Sequence, residues 1–125
     1  LILDTNALSA AADGAPDAVE VLSRSERIAV PVIVIGEYRF GILHSRHRQV
    51  YERWLANWIA SVDVLPIEQA TAQHYAEVGR VLKKMGKPIP TNDLWIAALC
   101  RQYSLPLMSR DRHFDAVPGL QRIKW

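Results

Sequence analysis

The chain has 125 residues, half of them apolar and 22% charged, which excludes a disordered or collagen-like polymer and is enough for one core without disulfide staples. Its single cysteine, Cys100, cannot form an internal disulfide, and no apolar run approaches the ~20 residues that span a bilayer, so a cytoplasmic protein without membrane contact is expected. The formal net charge of +2 is unevenly spread: residues 1–37 hold six acids against two bases, and residues 38–125 hold thirteen bases against seven acids, as suits a basic surface beside an acidic centre.

Leu1-Ile2-Leu3 is a short apolar run of the kind a buried parallel strand shows, and it stops at the turn-forming Asp4-Thr5-Asn6. Helices are predicted from about Ala7 to Ala12 and from Asp17 to Glu26, then a second strand over Ile28–Val30 that ends at Pro31. Residues 32–44 have helical length and an apolar character that only Glu37 interrupts. Residues 48–60 place Val50, Trp54, Leu55 and Trp58 at helical spacing. A third strand covers Val62 to Leu65. The stripe Tyr75, Val78, Leu82, Met85 marks a helix over Ile67–Met85, closed by Gly86. Thr91-Asn92 reads as the cap of an apolar helix over 93–103. Leu105–Met108 is the fourth strand, Ser109–His113 a polar loop, and Leu120–Ile123 a candidate fifth strand. Strands alternating with helices predict an α/β fold, with a parallel sheet of four to five short strands covered on both faces, and one domain over residues 1–125.

In such a sheet the working site lies beyond the carboxyl ends of the strands. Asp4 follows the first strand, Asp111 the fourth, and Asp93 sits in the first turn of a helix, where the dipole favours a carboxylate. Each has an ordinary alternative: Asp4 as a helix cap, Asp93 as a dipole-matched surface acid, Asp111 as a solvated loop residue between Arg110 and Arg112. Glu37 is harder to explain that way, because an acid among Val32, Ile33, Val34 and Ile35 needs a partner or a route to water. Together the four acids suit a hard, oxygen-seeking cation such as Mg2+ or Mn2+. His44 and His47 lack further zinc ligands nearby and read as part of a basic face with Arg39, Arg46 and Arg48. Asn6 stands where a haloacid-dehalogenase-type phosphatase has its second Asp. The tryptophans Trp54, Trp58, Trp95 and Trp125 read chiefly as core or interface.

Leu1-Ile2-Leu3-Asp4-Thr5-Asn6-Ala7-Leu8-Ser9 resembles the opening of PIN-domain ribonucleases, especially the VapC-type toxins of toxin–antitoxin modules. Glu37-Tyr38-Arg39-Phe40-Gly41, Asn92-Asp93-Leu94-Trp95-Ile96-Ala97-Ala98 and Ser109-Arg110-Asp111-Arg112-His113-Phe114 resemble three further segments of that family, in the same order. The gaps of 33, 56 and 18 residues between Asp4, Glu37, Asp93 and Asp111 suit it as well.

The resemblance implies a PIN-like fold and a Mg2+- or Mn2+-dependent endoribonuclease site. Asp4, Glu37, Asp93 and Asp111 then match the catalytic, metal-binding acids, with Thr5, Asn6 and Ser109 as supporting polar groups. Many relatives have Asn at the Asp111 position and an acid just before the Phe, where this chain has His113; Asp115 is a rival for the fourth place. Gly41, one turn after Glu37, is expected to leave room beside it. Arg39, Arg46, Arg48, Arg110 and Arg112 are candidate RNA contacts. The expected partners are RNA, a VapB-type antitoxin and a second copy of the chain, with Trp54, Leu55, Trp58, Ile33 and Phe40 as the receptor for the antitoxin. The alternatives are an RNA-processing PIN nuclease without an antitoxin, and a PIN-like module that binds without cutting.

Overall fold

The computed structural model describes Leu1 through Trp125. The elements run β1 (Ile2–Leu3), α1 (Thr5–Ala12), α2 (Pro16–Ser23), β2 (Ala29–Pro31), α3 (Val32–Ile42), α4 (Arg48–Ile59), β3 (Asp63–Leu65), α5 (Gln69–Lys84), α6 (Thr91–Tyr103), β4 (Leu107–Met108), a 3-10 turn over Arg112–Ala116, and β5 (Arg122–Ile123). The five strands form one sheet in the order β3-β2-β1-β4-β5, and every pairing is parallel. The chain adds strands on one side of β1 and then returns to add β4 on the other. The direction of winding therefore reverses between β1 and β4, which opens a crevice at their carboxyl ends.

Alternation along these very short strands explains the layering. Ile2 and Leu107 are register partners, and both enter a cluster of 19 buried residues with Val34, Leu55, Val78, Leu82, Ile96 and Leu99. Leu3 and Met108, the next pair, enter a cluster of five with Leu1, Ala7 and Ala18. Both faces of the sheet are thus apolar and covered, as expected for parallel strands. Ladders of two or three residues contribute few hydrogen bonds, so burial of these side chains dominates the sheet's stability.

Several elements are shorter than their apolar runs. The Leu105 amide is drawn to the Cys100 carbonyl and the Leu120 amide to Val117, so neither is available to a strand ladder. Ser104, at the end of α6, has a left-handed backbone (φ 53°) that makes this closing turn. The second helix stops at Ser23 because Arg24 and Ser25 turn back three residues, and the Ser25 hydroxyl donates to the Val21 carbonyl. The cap of α6 also differs from expectation. Pro90 occupies it, Thr91 and Asn92 lie inside the first turn, and no side chain caps the helix.

The hairpin of α5 and α6 fixes where α6 begins. Thr71 pairs with Gln102, Tyr75 stacks against Trp95 with ring centroids 4.0 Å apart, and a Cβ on Gly79 would come within 3.3 Å of Leu94. The helices are antiparallel, with the start of α6 held against the middle of α5. Thr71 is fully buried; its hydroxyl accepts from the Glu68 amide at 3.0 Å and donates to the Gln102 side chain at 2.6 Å. Thr71→Val keeps the shape and leaves both partners unpaired. A loss of roughly 1–3 kcal/mol in denaturant unfolding is expected; an unchanged midpoint would show that neither bond matters.

Candidate metal centre

Asp4 leaves β1 and caps α1. Its amide donates to the Met108 carbonyl of the neighbouring strand at 3.3 Å, and its Oδ1 accepts from the Ala7 amide at 2.8 Å. Asp4 therefore does serve as a helix cap, but with only one oxygen. The side chain is 97% enclosed, being 3% exposed, and its Oδ2 has no hydrogen-bond partner in the protein. Burial raises its pKa above the ordinary carboxylate value, and the charges of Asp111 and Asp93 raise it further. The Ser109 hydroxyl and the Ala7 amide favour the charged form without reversing that direction.

Glu37 reaches the same region from α3. Its Oε1 accepts from the Thr5 hydroxyl at 3.0 Å, which ties α3 to the first residue of α1 and supplies the partner that a half-buried acid requires. Asp93 is the third residue of α6. Burial raises its pKa, the charges of Asp111 and Glu37 add to that, and His113 opposes them. Ser109, fully buried at the end of β4, accepts the Asp111 amide at 3.0 Å and so shapes the loop that presents Asp111. Asp93, Asp111 and His113 each offer a ligand atom, and these atoms lie within 4.8 Å of one another. The structure thus gathers Asp4, Glu37, Asp93 and Asp111 around one crevice, with Thr5 and Ser109 as their supports. Asn6 is exposed and bonds to none of them.

Asp115 is otherwise engaged: both of its oxygens accept from Arg122, at 2.8 and 3.0 Å, and this contact holds its pKa down. The same Arg122 donates to the Ser109 carbonyl at 3.1 Å, bracing the loop from β5. His113 lies in the group, at the position where the sequence departs from its relatives by lacking an acid. Its Nε2 is 3.0 Å from Asp93 Oδ2. That approach does not meet hydrogen-bond geometry, so it is a close contact rather than a directed bond. Sequence gave a signal here, in the histidine that replaces an acid before Phe114. Arg122 gave none, because its role depends on the pairing of β4 with β5.

The basic face is smaller than the sequence implies. Arg39 and Arg48 both contact Glu52, and Arg110 donates twice to the backbone oxygen of Trp125 while lying over its ring. Arg46 and Arg112 are exposed and bridged to no acid. Arg112 lines a groove with Lys87, Ile89 and His113. Gly41 is exposed, and a Cβ there would meet nothing within 4 Å, so packing within the chain does not demand glycine beside Glu37. Leu55 is buried in the main core, and Trp54 and Trp58, stacked 5.4 Å apart, are packed against it; Phe40, Leu43 and Val50 are exposed, as are Val19, Val32, Val64 and Met85. No helix is long and apolar enough to cross a membrane.

Ribonuclease VapC5 of Mycobacterium tuberculosis is 29% identical to this chain over 101 residues, covering 79% of this chain and 75% of that protein. Ribonuclease VapC2 of Haemophilus influenzae is 28% identical over an alignment of 129 positions, covering 99% of this chain and 96% of its own. The fold superposes on VapBC-1 from nontypeable Haemophilus influenzae with a TM-score of 0.85 at 27% identity, over 99% of this chain and 96% of that one. Against VapBC2 from Rickettsia felis bound to a promoter DNA fragment, the TM-score is 0.86 at 24% identity, over 99% and 97% of the two chains, a likeness of fold. The family model of the PIN domain matches residues 1–120. With that match running almost end to end, and four acids meeting where the sheet reverses its winding, the chain belongs to the PIN-domain family.

Proposed function

We propose that this chain is a metal-dependent endoribonuclease that hydrolyses RNA phosphodiester bonds, that residues 1–125 form one PIN domain, and that it acts in the cytoplasm as the toxin of a VapBC-type pair. The observation that carries the reading is Asp4, an enclosed carboxylate whose second oxygen has no protein partner, raised in pKa by burial and by the neighbouring Asp111 and Asp93. Such a group is costly unless a cation completes it. The donor set fits: carboxylate oxygens suit Mg2+ or Mn2+. Asp4, Glu37, Asp93 and Asp111 are the residues that would hold the ion. Once bound, it supplies a water of lowered pKa and positive charge for the leaving oxygen. The protein's own part is placement. Thr5 orients Glu37 through its hydroxyl, Ser109 and Arg122 hold the loop that carries Asp111, and the α5–α6 hairpin sets Asp93.

The reading is tested on purified protein with total RNA, with and without Mg2+ or Mn2+, mapping the cut ends. Asp4→Asn and Asp93→Asn should each lower cleavage by more than about 100-fold, the upper range for losing even a supporting group around a metal. Wild-type rates in either variant would reject the assignment. Asp4→Asn should also stabilise the metal-free protein. Because the Asp4 pKa is raised on folding, the metal-free fold is favoured below the ordinary carboxylate range. It loses stability as pH climbs from there through the raised value. At neutral pH the variant should melt about 3 °C or more above wild type, the shift that ~1 kcal/mol gives in a domain of this size. A variant that melts lower without metal would show that the buried charge is not a burden.

Arg46 and Arg112 are the arginines of the basic face engaged neither by an acid nor, as Arg110 is, by Trp125, and we assign them to RNA phosphates. Replacing both with Ala should weaken RNA binding and flatten its dependence on salt. An unchanged slope would place the RNA elsewhere.

The exposed Phe40, Leu43 and Val50 suit a protein partner, since Phe40 alone is 78% exposed on a helix next to the acidic crevice. VapB-type antitoxin and a second copy of the chain are the partners proposed. Light scattering at micromolar concentration should give a dimer, and the product of an adjacent small gene should bind and suppress cleavage. A monomer would remove the dimer, and an adjacent product without inhibitory effect would favour an RNA-processing nuclease instead.

A further inference from the structure

The group nearest the acids that the proposed metal reading leaves unused is His113. Its ring is packed against the fully buried Phe114, with centroids 4.6 Å apart, so its position is set by the core rather than by solvent. Its Nε2 is shielded from water and has no aligned hydrogen-bond partner, although Asp93 Oδ2 is only 3.0 Å away. One ring nitrogen of His113, one Asp93 oxygen and one Asp111 oxygen lie within 4.8 Å of one another, a spacing that one ion can bridge. A second observation points into the same place. Asp4, 3% exposed, carries an oxygen with no protein partner, and its carboxylate is close enough to feel the charges of Asp93 and Asp111. Two buried polar atoms without partners, His113 Nε2 and Asp4 Oδ2, therefore lie in the neighbourhood of the Asp93 and Asp111 carboxylates.

We propose that His113 supplies a nitrogen ligand to the metal centre of this chain, beside the carboxylates of Asp93 and Asp111, and that the centre consequently selects Mn2+ over Mg2+. The inference rests on the metal-centre reading above and adds a ligand to it. The chemistry follows from ligand preference. Mg2+ is hard, holds its water tightly and is bound almost wholly through oxygen. Imidazole nitrogen suits transition ions; Mn2+ shares the oxygen preference of Mg2+ but, as a transition ion, tolerates one nitrogen among its oxygens at less cost than Mg2+ does. A neutral imidazole also adds a donor without adding to the negative charge of Asp4, Glu37, Asp93 and Asp111. The alternative role for His113, a cation that merely neutralises Asp93, leaves its nitrogen off the ion and gives no basis for metal preference.

Binding and spectroscopy decide between these without measuring catalysis. Titration calorimetry of wild type with Mn2+ and with Mg2+ should show at least a roughly tenfold preference for Mn2+. His113→Asn should lose most of it, and His113→Asp, which restores an all-oxygen set, should move the preference toward Mg2+. Electron spin echo spectroscopy of the Mn2+-loaded protein should show modulation from a directly bound nitrogen, absent from both variants. Mn2+ bound without nitrogen coupling, or coupling that survives in His113→Asn, overturns the ligand assignment while leaving the acidic centre in place. Absence of Mn2+ and Mg2+ binding by the wild type overturns the metal-centre reading itself, and His113's role with it.

Discussion

Crowding of like charge is the constraint around which this molecule is arranged. Asp4, Glu37, Asp93 and Asp111 come from four segments spread over more than a hundred residues. Each of Asp4 and Asp93 is disfavoured in its charged form by burial and by the other acids. Nothing local brings these groups together, and their mutual repulsion opposes it. The apolar layers on the two faces of the sheet must therefore supply the free energy that holds them in place. A fold that gathers like charges at its own expense, and leaves one buried Asp4 oxygen without a partner, is not arranged for stability alone.

The sheet imposes the arrangement through a single adjacency. Because β4 pairs with β1 rather than with β3, the exits of β1 and β4 lie side by side, and Asp4 faces the loop that carries Asp111. α3 follows β2 directly from Pro31, and the bond from Thr5 to Glu37 joins the first turn of α1 to the middle of α3. Asp93 depends on a longer lever. Its place follows from where α6 starts, which follows from how α6 lies along α5, in contacts such as Tyr75 with Trp95 and Thr71 with Gln102. Residues far from the crevice thus carry part of its geometry.

Much of this was legible in the chain. Apolar runs broken by polar residues located all five strands and six helices, and strand exits singled out Asp4 and Asp111. What could not be read is what depends on partners distant in sequence. Arg39 looks like a free cation until α3 and α4 fold together and it reaches Glu52. Asp115 looks like a spare ligand until β5 brings Arg122 against it. Leu55 looks available to a partner until the core closes over it. Strand ends were overrun for a related reason: apolarity marks what is buried, whereas the Leu105 and Leu120 amides bond to turns and not to neighbouring strands. His113 was visible as a departure from a pattern, but only the packing on Phe114 shows where its ring is held.

The last strand of the sheet has only two residues and lies at an open edge, and yet it bears on the crevice twice. Arg122 on β5 holds the Ser109 carbonyl, and the Ser109 amide in turn bonds to Ile123. Beyond the strand, the Trp125 backbone oxygen and ring engage Arg110, next to Asp111. Edge strands of this length open more readily than central ones. Fraying of β5 would release the Ser109–Asp111 loop with it, so order at the margin of the sheet and order at the acidic crevice form one cooperative unit. The nuclease surface is in that sense as rigid as the least protected strand of the fold, and anything that clamps the edge stiffens the loop from behind.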